Sequence, residues 1–193
     1  GGAAPTPQQR RFISSLDVFA RLHERSAEIA AGLQGGVAGV APHSLRAVRL
    51  EEIGQLLSLS PSGPVHIHVA EQVAEVEACR KMHGVGPVRL LLDSAPVDGR
   101  WCLIHATHMT SDETADMAAR GAVAGLCPIT EANLGDGIFS GTAFREAGGV
   151  FGVGSDSNVS ISLPGELRQY EYSQRLRLRV RNAIADSGSS TGR

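Results

Sequence analysis

The sequence predicts an α/β fold, in which short strands alternate with helices and form a parallel sheet that the helices cover. Three observations predict it. The apolar runs are short and continuous rather than alternating, which is typical of strands buried on both faces. A segment with helical periodicity follows each run. The 193 residues include 42% hydrophobic residues, which is enough for an ordinary core.

Five apolar runs predict the strands. They cover residues 37–41, 65–69, 101–104, 122–127 and 149–153. Six helices are predicted between and around them, over residues 17–31, 44–59, 72–82, 111–120, 142–147 and 164–185. Gly32 ends the first helix, and the Pro-Ser-Gly-Pro segment at 61–64 ends the second. The tail 187–193 is small and polar, and we expect it to be loose.

Composition disfavours nucleic-acid and membrane-surface partners. The chain has 20 acidic and 18 basic residues and a net charge of -2, so it offers no global attraction to phosphate or anionic lipid. Four arginines between residues 175 and 181 spread around a helix instead of forming one stripe. The longest uncharged stretch, 29–45, is broken by glycines and a proline, so it does not predict a membrane span.

The cysteines and the first residues suggest where the protein works. Three cysteines without a CxxC spacing argue against a disulfide framework and fit a reducing compartment, so a cytoplasmic location is expected. The first eleven residues lack the apolar core of a secretory signal. An initiator Met is absent, and we therefore expect a processed, trimmed or partial chain.

Ionisable side chains follow four of the five apolar runs. They are His43, His68 with Glu71, His105 with His108, and Asp156. In parallel α/β barrels the active site is built at the carboxyl ends of the strands, so these groups are expected to face one centre. Imidazole and carboxylate together suit zinc or a similar divalent ion.

Each of these signals alone leaves a structural alternative open. His66 and His68 share one strand face, but a histidine pair bonded to the backbone is the commoner outcome of such spacing. Asp156 could cap the following turn or helix. Arg46 could be an ordinary arginine on a helix surface.

Four motifs together resemble one family. They are APHSLR at 41–46, HIHVAEQ at 66–72, LIHATHM at 103–109 and GSDSNVSISLPGELR at 154–168. They look like the amidohydrolase superfamily, and more closely like its formimidoylglutamate deiminases. The resemblance implies a (β/α)8 TIM barrel of the metal-dependent hydrolase type, of which this chain would hold an incomplete part, about strands 4 to 8 with their helices. Residues 1–193 would then be the carboxyl-terminal portion of one barrel domain, without a second domain.

The resemblance also implies a single zinc ion and the residues around it. His68 matches a metal ligand, and Asp156 matches both a metal ligand and the base for the water on the metal. Glu71 matches the proton shuttle, and His105 matches the histidine that polarises the reacting centre. Catalytic roles are thus implied for Glu71, His105 and Asp156.

Two further positions match substrate contacts in that family. His43 and Arg46 are the residues concerned, and the arginine fork suits a substrate carboxylate. The sequence departs from the family at the first barrel strand, which needs a His-x-His pair. Before residue 40 the sequence has His23 alone, within a predicted helix. Two of the four expected metal ligands are therefore missing from this sequence.

The function implied by the resemblance is hydrolysis of N-formimidoyl-L-glutamate to N-formyl-L-glutamate and ammonia, a step of histidine degradation. The expected partner is a small-molecule substrate, with no nucleic acid and no membrane, and a homodimer is one option for assembly. Two alternatives stay open. One is another amidohydrolase deaminase that acts on a ring substrate, and the other is a non-catalytic barrel fragment that serves in binding or assembly.

Overall fold

The structure is a computed structural model that describes residues 5–185. The predicted loose tail at 187–193 lies outside these residues. The chain divides into two compact units, Gly1–Ile67 and His68–Arg193, and each is described by itself. The prediction of one barrel domain over residues 1–193 stays a prediction.

The first unit holds two α-helices and a short 3-10 helix, Arg10–Phe12. The helix α1 covers Leu16–Ala31 and begins where Ser15 Oγ accepts a hydrogen bond from the Val18 amide. The helix α2 covers Leu50–Leu59, so it begins six residues later than predicted. Its start is fixed at Arg49, whose backbone N–H donates to Glu52 Oε2 over 2.8 Å.

The strand predicted at 37–41 is wrong in its extent. Within this run Val40 alone forms a bridge, which is parallel to Val65, with Val40 N donating to Pro64 O and His66 N donating to Val40 O. Pro42 has no N–H to extend the ladder. Gly39 lies against Pro64 so closely that a Cβ there would meet the proline ring at 2.7 Å. The chain therefore touches the strand at one residue and leaves it.

Four strands form one sheet, and the predicted α/β fold with a parallel sheet is confirmed. The strands are β1 (Val65–Val69), β2 (Trp101–His105), β3 (Val123–Leu126) and β4 (Val150–Val153), in the order β1-β2-β3-β4. Strand β3 runs parallel to both β2 and β4. The unit boundary falls within β1, after Ile67.

Six helices lie in the described part of the second unit, residues 68–185. They are α3 (Val73–His83), α4 (Pro87–Ser94), α5 (Ser111–Ala119), α6 (Pro128–Leu134), α7 (Gly141–Glu146) and α8 (Leu163–Leu178). The predictions for α3, α5 and α7 agree within two residues, whereas α4 and α6 were not predicted. The helix α8 ends seven residues before its predicted end, because Arg179 takes a left-handed conformation with φ of 59°.

The core of the second unit lies along β2 and β3. Trp101, Leu103, Ala124 and Leu126 are fully buried. Strand β4 is more open, and Val150 is 61% exposed. The described helices include none that is long and apolar enough to cross a membrane. The sheet is therefore closely packed along β2 and β3. The carboxyl ends of β1, β2 and β4 lead into the polar residues of the site.

Candidate active site

The chain turns abruptly at the carboxyl ends of three strands. Ala70 after β1, His105 and Ala106 at the end of β2, and Asp156 after β4 all have positive φ, between 41° and 68°. Non-glycine residues seldom adopt this conformation, and such residues cluster at functional sites. The Ala106 amide donates to Val69 O over 3.0 Å, which holds the ends of β1 and β2 together.

His105 lies at the centre of the polar cluster that these turns produce. Its side chain is buried, with 1% of its surface exposed. The Nε2 atom lies 4.0 Å from Glu71 Oε1 and 3.9 Å from Asp156 Oδ2. The ring of His68 stacks on it, with centroids 5.8 Å apart and planes 26° apart. The structure thus brings together four predicted residues from three strand ends.

The other ring nitrogen of His105 has a partner that the sequence did not predict. Nδ1 lies 3.1 Å from Oε1 of the buried Glu131, on α6. The same oxygen accepts a hydrogen bond from the Cys127 amide over 2.9 Å. A proline directly after an apolar run, with an acid three residues later, indicates a helix start, so sequence could have found α6. It carries no signal for the contact with His105.

The neighbouring charges change the pKa values of two buried groups. Burial lowers the pKa of His105, but the hydrogen bond to Glu131 and the charges of Glu131, Glu71 and Asp156 outweigh it and raise the pKa. Burial, reinforced by nearby carboxylates, raises the pKa of Cys127 to about 12. The cluster therefore favours a cationic imidazole and a protonated thiol.

A second polar group lies in the loop after α6. Asp136 is buried; its Oδ1 accepts from Gln72 Nε2 over 3.2 Å, and its backbone oxygen accepts from His108 Nε2 over 2.7 Å. Burial raises the pKa of Asp136. Gly137 follows with φ of 137°, and a Cβ there would meet the His108 ring at 3.1 Å. His108, one of the ionisable residues that follow the apolar runs, therefore anchors this loop.

The two predicted substrate contacts lie in the first unit, and Asp156 had the alternative role of a helix cap. His43 and Arg46 are exposed, and His43 Nδ1 lies 3.0 Å from Ser44 Oγ. Their contact with substrate stays a prediction. The capping alternative for Asp156 is wrong for α8, because Ser162 Oγ caps that helix by accepting from the Gly165 amide.

The donor set is suited to the implied zinc ion. Two imidazoles, His68 and His105, and two carboxylates, Glu71 and Asp156, meet at one end of the sheet, and nitrogen and carboxylate oxygen are ligands that zinc accepts. His105, Cys127 and Glu131 also place donor atoms within 4.8 Å of one another. In that trio Glu131 Oε1 already bonds to the His105 ring and to the Cys127 backbone amide, and burial raises the pKa of the Cys127 thiol, which disfavours the thiolate that a metal needs. The side of His105 that faces Asp156 is therefore where such an ion would fit.

Comparisons with known proteins show what the chain is similar to. The amidohydrolase family model matches residues 5–186. A formimidoylglutamate deiminase of Pseudomonas aeruginosa is 48% identical over 95% of this chain and 41% of its own length. The crystal structure of an amidohydrolase from Brucella melitensis has a TM-score of 0.95 and 58% identity, over 98% of this chain and 42% of that one.

A more distant structure shows the same fold with an ion present. The adenosine deaminase of Xanthomonas campestris, solved with bound zinc, has a TM-score of 0.74 at 23% identity, over 84% of this chain and 38% of that one. The chain therefore spans about two fifths of the length of the proteins that it matches.

Proposed function

The chain belongs to the amidohydrolase family, and on that premise we propose that the complete protein containing it hydrolyses N-formimidoyl-L-glutamate to N-formyl-L-glutamate and ammonia. The curated relative at 48% identity, named formimidoylglutamate deiminase, supports this substrate over a ring substrate. The observation that carries the proposal is the convergence of Glu71 and Asp156 on His105 Nε2, at 4.0 and 3.9 Å.

His68 and Asp156 are proposed to hold a zinc ion, together with the first-strand histidine pair that the family resemblance implies. When bound, zinc lowers the pKa of water from about 15.7 to about 7 and so supplies a nucleophile at neutral pH. The exposed fraction of the Asp156 side chain is 35%, whereas that of His105 is 1%. Asp156 therefore lies on the open side of the cluster, where a reactant can reach it.

The chain's own residues are proposed to move the protons. Asp156 takes a proton from the attacking water, and Glu71 delivers a proton to the nitrogen that leaves as ammonia. Each carboxylate lies within 4.0 Å of His105 Nε2, so one substrate carbon can be within reach of both. His105, once protonated, stabilises negative charge at the tetrahedral centre through Nε2, which faces both carboxylates.

Arg46 and His43 are proposed to bind the glutamate part of the substrate. A guanidinium fork can hold a carboxylate by two parallel hydrogen bonds, which fixes orientation as well as charge. Arg46 is exposed and follows the Pro42 turn in the first unit, so its side chain is accessible to a small anion. Glutamate carries two carboxylates, and Arg46 would bind one of them.

The test is ammonia release by the complete, zinc-loaded protein. We expect turnover of N-formimidoyl-L-glutamate and none of adenosine above background. Turnover of adenosine alone would support the ring-deaminase alternative, and release from neither would contradict the assignment. Arg46→Met should raise KM for the glutamate substrate by about 10-fold or more, whereas Arg25→Met should not, because Arg25 pairs with Glu28 on the exposed α1.

The proposal also covers the pathway, the location and the assembly of the protein. The reaction would be a step of histidine degradation, in the cytoplasm, as the amidine substrate and the unpaired cysteines suggest. The assembly would be a homodimer or a monomer with no nucleic-acid or membrane partner. Size-exclusion chromatography of the complete protein decides between the two assemblies.

A further inference from the structure

We infer that Glu131 is a positioning residue for the reaction, which fixes the tautomer and orientation of His105. This inference rests on the proposed function in one respect, the role of His105 in polarising the reacting centre. Nothing in the family motifs at strand ends points to Glu131, which lies on a helix between β3 and β4. The hydrogen bonds of its carboxylate are the evidence for this role.

The carboxylate of Glu131 is held firmly before it meets His105. The helix α6 begins at Pro128, and Glu131 lies in its first turn. Oε1 of Glu131 accepts from the amide of Cys127, the N-cap residue, over 2.9 Å. The side chain is 6% exposed, so water offers it little competition. A buried acceptor bound to the backbone gives His105 a fixed partner.

The bond from His105 to this oxygen selects one tautomer. A carboxylate cannot donate, so His105 Nδ1 donates to Glu131 Oε1 across the 3.1 Å separation. When the imidazole is neutral, its lone pair is then on Nε2, which can take up a proton and, once protonated, donate toward the substrate. Nε2 is the atom that faces Glu71 and Asp156. Glu131 thereby directs the reactive nitrogen toward the proposed substrate position.

The backbone alone does not fix this ring. His105 has φ of 68° and Ala106 has φ of 46°, so the chain has already left the strand geometry at this residue. The ring of His68 stacks on one face of the His105 ring. The bond to Glu131 supplies the in-plane constraint, in the manner of a carboxylate that orients a catalytic histidine.

Glu113 offers a matched control within the same unit. Both glutamates are buried, and each accepts a hydrogen bond at the start of its own helix. The second partner differs. Glu113 Oε1 accepts from the Arg89 backbone amide over 2.9 Å, whereas Glu131 bonds to a histidine ring. Replacing Glu113 should therefore lower the free energy of unfolding, because the first turns of α4 and α5 lose an acceptor. The hydrogen bond of His105 is not affected.

The experiment uses the complete zinc-loaded protein with 15N-labelled histidine. In the wild type, at a pH high enough that the imidazole is neutral, we expect His105 to be protonated at Nδ1, and the His105→Asn spectrum identifies its signals. Glu131→Ala should abolish that pattern and lower kcat by about 10- to 100-fold, with little change in KM. Glu131→Gln, whose amide oxygen can still accept, should restore the tautomer and part of kcat. Glu113→Ala should leave both unchanged.

Two results would overturn the inference. One is a Glu131→Ala protein with an unchanged His105 spectrum, and the other is a loss of kcat that Glu113→Ala reproduces at equal loss of stability. The two proposals fail separately. A wild-type protein that releases no ammonia from N-formimidoyl-L-glutamate contradicts the proposed function, while the tautomer comparison still decides the role of Glu131.

Discussion

Glu166 Oε2 accepts a hydrogen bond from the backbone amide of Ile129 over 2.9 Å, which ties α8 to the first turn of α6. Glu166 is 2% exposed, and Ile129 is the second residue of α6. The four amides at a helix start lack partners within the helix, so a buried carboxylate from another element can replace a local cap. The helix that carries Glu131 therefore depends on a side chain 37 residues away.

Glu166→Ala should lower the free energy of unfolding of the complete protein by about 1–3 kcal/mol, because a buried amide loses its acceptor. Glu146→Ala, at an exposed position on α7, should change it by less than about 0.5 kcal/mol. Urea denaturation followed by circular dichroism measures both. Equal stability of the two variants would contradict the capping role of Glu166.

A pair of glycines on neighbouring strands gives a packing prediction. Gly125 on β3 and Gly152 on β4 are register partners. A Cβ at Gly125 would meet Ile104 Cδ1 at 2.6 Å and Cys102 Sγ at 2.7 Å, whereas a Cβ at Gly152 would meet nothing within 4 Å. Gly125→Ala should therefore destabilise the protein by about 1–3 kcal/mol through overpacking.

Gly152→Ala is the control for that experiment. It should leave stability unchanged or raise it by up to about 1 kcal/mol, because alanine restricts the unfolded chain. The thermal midpoints of both variants, measured in the same buffer, give the comparison. A larger drop for Gly152→Ala than for Gly125→Ala would show that the packing between β2 and β3 is not as described.

Local pattern was sufficient to predict some elements but not others. The run at 65–69 predicts β1 without error, because Val65, Ile67 and Val69 alternate with two histidines, and these three apolar residues are the ones that the strand buries. The helix α4 was missed although Val88, Leu91 and Leu92 are buried. It has eight residues, and its first turn is completed by Glu113, from 24 residues away. The hydrophobic periodicity of eight residues gives no information about that distant acceptor.

The candidate site divides in the same way. His68, His105 and Asp156 could be predicted because each lies at or just past the end of an apolar run, and the sheet brings those ends together. Glu131 could not be predicted, because its contact with His105 spans 26 residues and depends on where α6 begins. The proposed catalytic residues follow strand ends, whereas the position of Glu131, which we propose orients one of them, depends on where a helix begins.

Substitutions of Glu71 and of His68 should lower the activity of the protein for different reasons. Glu71→Gln should lower kcat by about 100- to 10,000-fold, because an amide cannot relay a proton, while zinc content stays that of the wild type. His68→Asn should lower both zinc content and activity. Metal analysis of the purified complete proteins, beside ammonia-release assays, separates the two effects.

Glu77→Gln, at an exposed position on α3, serves as the control and should retain wild-type zinc content and kcat. Treatment of the wild type with a chelator should abolish activity, and added zinc should restore it. A Glu71→Gln protein with wild-type kcat would remove Glu71 from the proposed proton relay, and full zinc in His68→Asn would remove His68 as a ligand.

The carboxylate of Glu171 binds the segment after α8, and we expect this binding to depend on pH. Glu171 Oε1 accepts from the Ala183 amide over 3.0 Å, and Oε2 accepts from the Ile184 amide over 2.9 Å. Arg175 also pairs with this carboxylate. Burial raises the pKa of Glu171, but these hydrogen bonds and the charge of Arg175 outweigh it and lower the pKa below 4.5.

A folded-state pKa that is lower than the unfolded one stabilises the folded form above the unfolded pKa, and that stabilisation is lost as pH falls through the folded value. At pH 7 the amides of Ala183 and Ile184 should therefore exchange hydrogen more slowly in the wild type than in Glu171→Gln. The difference should persist down to about pH 4.5 and vanish at lower pH, once the carboxylate is protonated. Glu24→Gln, on the exposed α1, should match the wild type throughout. An equal difference at every pH would show that the shape of Glu171, and not its charge, holds the segment.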